Sequence, residues 1–181
     1  MRERNIFIGL GGSGVNTVAS LKYKIYSNIQ DEHPLERMEE DYRFLFCDTD
    51  QADVLRKNEY YKSKFEGGRK LFIDPENDLI NLGSVNPFAV YEEARSKAPD
   101  RRTDIDNAIL EAYNTKMVAK LKHYPLSDGA GAFRGNSRIA FARMADSFVN
   151  VMKRCIQQLL DTQTAMGEQV ALRYWIVGSS N

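Results

Sequence analysis

Arg4-Asn5-Ile6-Phe7-Ile8-Gly9-Leu10-Gly11-Gly12-Ser13-Gly14-Val15-Asn16 is the stretch whose reading decides the fold of this 181-residue chain. Its apolar run predicts a buried strand, glycines then interrupt the run, and from Val15 the spacing turns helical. Strand, glycine turn and helix start in that order build an anion-binding element. Glycines let the backbone come close to an anion, and the free N–H groups at the helix start point toward it. The helix dipole adds about half a positive charge at that end. The pattern Gly9-x-Gly11-x-x-Gly14 matches the dinucleotide fingerprint of Rossmann domains and also the first phosphate loop of other nucleotide-binding folds. A glycine turn without any ligand has the same pattern, so the ligand has to be read from elsewhere in the chain.

Working outward, Val18, Leu21, Ile25 and Ile29 form one apolar stripe, which predicts a helix from Val15 to about Ile29. The charged segment 30–41, with Pro34, reads as a loop. Phe44-Leu45-Phe46-Cys47 is a short continuous apolar run suited to an inner parallel strand. It ends at Asp48-Thr49-Asp50, followed by a short helix over 51–57 capped by Thr49 or Asp50. Leu71-Phe72-Ile73 reads as a third, shorter strand. Asn86-Pro87 marks a helix start, with the proline at the first helical position. That helix runs to about Lys97, and a second follows over 103–122; the pair reads as a helical hairpin inserted within about 74–127. Gly129-Ala130-Gly131-Ala132 belongs to a second stretch of small residues, which opens onto a long helix with Phe141, Ala145, Phe148, Met152, Cys155 and Leu159 on one face. Val170 to Val177 is the last strand. The expected fold is α/β, a Rossmann-like, mostly parallel sheet with helices on both faces.

Composition adds limits. Lys plus Arg and Asp plus Glu are 25 each, so bulk charge gives no nucleic-acid surface. No apolar run approaches the ~20 residues of a membrane span, and the start lacks the apolar segment of a signal peptide. Cys47 and Cys155 make no disulfide framework, and both read as core thiols, so the expected location is the cytoplasm. His33 and His123 have no partner at ligand spacing. No Ser/His/Asp or paired-carboxylate arrangement can be argued from spacing. The final strand is followed only by Gly178-Ser179-Ser180-Asn181, where a ligand-facing loop should begin, so a fragment of a longer protein is expected.

Two small-residue loops after different elements narrow the chemistry. A Rossmann dinucleotide site needs one glycine loop and an acidic residue on the ribose. Asp48 can supply the acid, but Gly129 to Ala132 is then unexplained. No Gly-Lys-Ser/Thr follows either glycine stretch, which excludes a Walker loop and leaves no loop lysine. Backbone N–H groups and a metal ion would carry a triphosphate, with help from Arg134 or Arg138. Asp48 and Asp50 also fit a plain capping role.

These loops resemble those of the tubulin/FtsZ superfamily, and the likeness is nearest to its divergent bacterial tubulin-like proteins. Ile8 to Asn16 looks like the first nucleotide loop, Asp48-Thr49-Asp50 like the Asn-Thr-Asp loop after the second strand, and Gly129 to Ala132 with Arg138 like the third loop. The final strand with Gly178 and Ser179 stands where the glycine-rich signature loop would begin. The resemblance implies GTP and Mg2+. Gly11, Gly12, Ser13 and Gly14 would contact phosphates through backbone N–H groups, and Asn16 would lie near the nucleoside. Asp50 matches the aspartate near the magnesium site, and Asp48 replaces an asparagine. Gly129, Ala130, Gly131 and Ala132 would close over the terminal phosphate, although Phe133-Arg134 stands where Asn-Pro is usual.

The resemblance also implies head-to-tail filaments, with GTP hydrolysed where a neighbour inserts an acidic loop, Asn-x-Asp-x-x-Asp. Neither Asp74-Pro75-Glu76-Asn77-Asp78 nor Asp104-Ile105-Asp106-Asn107 has that order. No catalytic residue is therefore expected in this chain. The competing expectation is a Rossmann-type NAD-binding oxidoreductase domain.

Overall fold

Arg2–Leu10 forms strand β1, and helix α1, Gly11–Asn28, follows it with no intervening residue. The computed structural model describes residues 2–62, 73–74, 76–111, 113, 126, 134–166 and 169–178. After α1 come α2 (Pro34–Asp41), β2 (Tyr42–Asp48), α3 (Gln51–Lys62), β3 (Leu79–Asn81), α4 (Pro87–Ser96) and α5 (Asp104–Glu111). Then α6 (Arg134–Arg143), α7 (Ala145–Met166) and β4 (Val170–Gly178) complete the described chain. The four strands form one sheet in the order β3-β2-β1-β4, and every pairing is parallel. The expected Rossmann-like α/β fold is what the chain adopts.

Side-chain alternation in the strands feeds two cores. Ile6 and Ile8 of β1, with Leu45 and Cys47 of β2, face Ala94 of α4, Ile109 of α5, Ile139 of α6, and Cys155 and Leu159 of α7. Phe44 and Phe46 point the other way, against Val15, Val18 and Ala19 of α1, Met38 of α2 and Val54 of α3. Helices thus cover both faces. The segment 74–127, read as a helical insertion, contributes β3 to the sheet and Ala94, Ile109, Tyr113 and Leu126 to the first core.

Several boundaries differ from expectation. The charged segment 30–41 contains α2, with Pro34 in the first turn and Met38 buried beneath it. Its far end is clamped to β1 by Arg2, which reaches Asp41 at 2.5 Å and Glu40 at 2.9 Å. The third strand lies at Leu79–Asn81, where it pairs with Phe46–Asp48. Ile73 is a buried bend rather than strand, and Leu71 and Phe72 fall outside the described residues. Helix α3 continues to Lys62, past the expected end at Lys57. The helix expected over 103–122 ends at Glu111; Tyr113 is non-helical, and most of the rest is outside the described residues. The long helix after Arg138 is broken at Met144, yet Met144 N–H still donates to Ala140 and Phe148 N–H to Met144. The break is a one-residue turn that no proline or glycine announces.

Candidate functional site

The chain passes from β3, on one side of β1, to β4 on the other. Strand order therefore reverses between β1 and β4, and in open parallel sheets ligands bind beyond the carboxyl ends of the strands at such a point. Gly11–Gly14 lies there. Leu10 precedes α1 in an extended conformation without a side-chain cap, so no side chain occupies the N–H groups of the first turn in the way a capping residue would. Gly11 has φ +67°, the left-handed conformation that turns the chain from strand into helix and that glycine adopts at no steric cost. Gly12 is exposed, and among the described residues a β-carbon there would meet only Asp48 Oδ2, at 3.9 Å.

Two other glycines serve packing. A β-carbon on Gly9 would fall 2.7 Å from the carbonyl oxygen of Gly14, and one on Gly14 would fall 2.2 Å from that of Val177. Helix α1 therefore seats directly on β1 and β4, which aims its N-terminus over the rim.

Asp48 closes β2 and is 6% exposed. Its Oδ1 accepts from the N–H groups of Thr49 (2.7 Å) and Asp50 (3.2 Å), whereas Oδ2 is buried and has no hydrogen-bond partner among the described residues. Burial pushes this carboxyl above the usual carboxylate range, against the pull of the two N–H groups and of the Lys57 charge. Asp50 caps α3, accepting from the Asp53 N–H at 2.9 Å through Oδ1. The capping role is thus realised at Asp50, and one oxygen of Asp48 is left over.

Lysine reaches the turn after all, from outside the loop. Lys57 Nζ on α3 donates to the Gly12 carbonyl at 3.3 Å and to Asp53 Oδ2 at 2.6 Å. Sequence spacing gave no sign of it, because the contact joins residues on separate elements that meet only once the sheet is assembled.

Of the expected site residues, Gly11, Gly12, Ser13, Gly14, Asp48 and Asp50 gather at one rim, and Gly178 pairs beside Leu10 there. Asn16 is exposed on α1. Arg138 is exposed on α6 and makes no ion pair or hydrogen bond among the described residues. Gly129, Ala130, Gly131, Ala132 and Ser179 lie outside the described residues. Just past them, the buried Asn136 side chain accepts from the Tyr113 hydroxyl at 2.5 Å, a contact that ties the start of α6 to the segment after α5. The two acidic stretches that lack the catalytic order are engaged otherwise. Asp78 pairs with Lys22 at 2.9 Å, and Asp106 with Lys97 at 2.8 Å.

Asp48 is what suits this rim to a divalent cation. A buried carboxylate oxygen with no donor is costly unless a cation or donor meets it. Among the described residues no group of three His, Cys, Asp or Glu side chains is placed to hold a metal. Mg2+ does not need one, since one or two carboxylates plus ligand phosphates are its common setting. The rim fits.

The fold and this rim define a Rossmann-like α/β protein with an anion-receptive strand–glycine–helix turn at its switch point. A family profile described as "Tubulin like" matches residues 6–179, and the chain belongs to that tubulin-like family. Comparison with curated proteins and with solved structures returns no match. Nothing in the fold or in these comparisons supports the oxidoreductase reading. No described helix is long and apolar enough to cross a membrane.

Proposed function

We propose that the chain binds GTP with Mg2+, the phosphates resting on the N–H groups of Gly11–Gly14. The observation that carries this reading is the uncapped α1 N-terminus at the switch point, with an Asp48 Oδ2 that no described residue meets facing Gly12, in a member of the tubulin-like family. Phosphate is favoured there by the aligned peptide dipoles and by donors that need no rearrangement. Asp48 and Asp50 would hold the Mg2+, whose charge would offset the carboxylates and the phosphates together. Arg138 and Gly178, with Gly129 to Ala132 and Ser179, complete the proposed nucleotide contacts.

The protein is proposed to associate head to tail into cytoplasmic, cytoskeletal filaments, with GTPase activity at subunit contacts. Heterologous contacts of that kind leave open ends and so permit growth. Nothing in the described residues supplies the acidic loop for hydrolysis, so this chain should bind nucleotide and turn over little of it.

The test is an equilibrium titration of the protein with GTP and Mg2+, with NAD as competitor. Binding that Gly12→Val or Gly131→Val abolishes supports the reading. Equal affinity for NAD and GTP, or binding indifferent to bulk at Gly12, overturns it.

A further inference from the structure

Among the described residues, the charges fixed around the α1 N-terminus are mostly negative. Asp48 ends β2, Asp50 caps α3, and Asp53 lies in the first turn of α3. Asp48 is more than nine-tenths buried and turns toward Gly12 an Oδ2 that has no partner among the described residues, so a polar atom beside the turn is left for a ligand to meet. Three carboxylates are a poor surrounding for a polyphosphate unless cations stand among them. Arg56 pairs with Asp53 at 3.4 Å but is 70% exposed. Lys57 is different. Its side chain is only 16% exposed, and among the described residues it is the cation hydrogen-bonded to the glycine turn itself.

An Asp53–Lys57 pair at i,i+4 is an ordinary helix-surface contact in its favourable orientation. It does not account for the donation to the Gly12 carbonyl, on an element 45 positions earlier. Lysine carries three donors on a flexible four-carbon stem. Nζ can therefore keep Asp53 while turning toward an anion seated on the N–H groups of the same turn.

We propose that Lys57 is a phosphate-contacting residue of this site, an ammonium that α3 supplies from outside the glycine loop, and that it makes the site selective for polyphosphate over nucleoside. The inference rests on the reading above that the α1 turn receives phosphates. It goes further in naming the cation that offsets Asp53 and the ligand together.

Binding of GTP, guanosine and inorganic tripolyphosphate, each with Mg2+, is compared for the unaltered protein, Lys57→Gln and Lys57→Arg. Lys57→Gln should weaken GTP and tripolyphosphate by about tenfold or more, since a charge-assisted hydrogen bond is lost, and leave guanosine unchanged. Lys57→Arg should recover most of the loss, and a steeper salt dependence should accompany the lysine or arginine forms. Equal weakening of guanosine and GTP, or no change for tripolyphosphate, overturns the role of Lys57. Tripolyphosphate binding that depends on Lys57 without any preference for GTP would uphold this inference while removing the guanine reading. Failure of the unaltered protein to bind any of the three removes both.

Discussion

The carbonyl oxygen of Val177 lies 2.2 Å from the place a β-carbon on Gly14 would take. The oxygen is backbone and the place of a β-carbon is fixed by backbone geometry, so neither can swing aside, and α1 would have to lift off β4. Gly14→Ala should therefore destabilise the protein by about 3 kcal/mol, the upper range for overpacking. A urea unfolding curve reads this as a lower midpoint with an unchanged slope.

Gly12 gives the opposite result. Among the described residues its β-carbon position is clear except for Asp48 Oδ2 at 3.9 Å. Gly12→Ala should stay within about 0.5 kcal/mol of the unaltered stability. Nucleotide binding should nevertheless fall about tenfold, because the methyl group intrudes where the phosphates approach the backbone. Thermal unfolding and nucleotide titration of the same sample separate the two effects.

Asp48→Asn keeps an acceptor for the Thr49 and Asp50 N–H groups but removes the charge held in a buried place. Nucleotide affinity should then lose most of its dependence on Mg2+. Titrations with and without the metal check this, and an undiminished dependence would assign the cation to Asp50 alone.

Thr103 and Asp106 cap α5 reciprocally. The Thr103 N–H donates to Asp106 Oδ2 at 2.8 Å, and the Asp106 N–H to Thr103 Oγ1 at 3.2 Å. The Lys97 ammonium at 2.8 Å, followed by the Thr103 N–H and hydroxyl, holds the Asp106 carboxyl down at about 2. An unfolded aspartate titrates near about 4, so the folded value is the lower one. The stabilisation is thus fully present above about pH 4 and lost as pH falls toward 2. Asp106→Asn should remove that part of the acid sensitivity, as measured by unfolding midpoints across this range. Thr103→Ala should cost about 1 kcal/mol at neutral pH.

Asn58 is 3% exposed and holds both backbone groups of Ile73, accepting from its N–H at 2.6 Å and donating to its carbonyl at 2.8 Å. Asn58→Leu would strand two buried polar groups, each worth about 1–3 kcal/mol. The expected loss is about 3 kcal/mol, read by chemical unfolding.

Local patterns announced those parts of the fold that are local. The apolar run of β1, the stripe of α1 and the cap of α4 by Asn86, which accepts from Ala89 N–H at 3.1 Å, all declare themselves within a few residues. Helix α2 does not. It buries Met38 beneath a charged surface, and Arg2 clamps its far end from β1, so no stripe exists to be read. Strand β3 has three residues, too few to show alternation, and exists because β2 offers it an edge. At the site, the glycine turn and Asp48 were legible because loop chemistry is written in residue type. The meeting of Lys57 with Gly12 was not, since it depends on where β2 delivers α3.

The most direct measurement follows the backbone amide resonances of the protein as GTP and Mg2+ are added. The largest shifts are predicted at Gly11, Gly12 and Ser13, with smaller ones at Thr49 and Asp50. Saturable GTP binding that leaves those three amides unmoved would contradict the account.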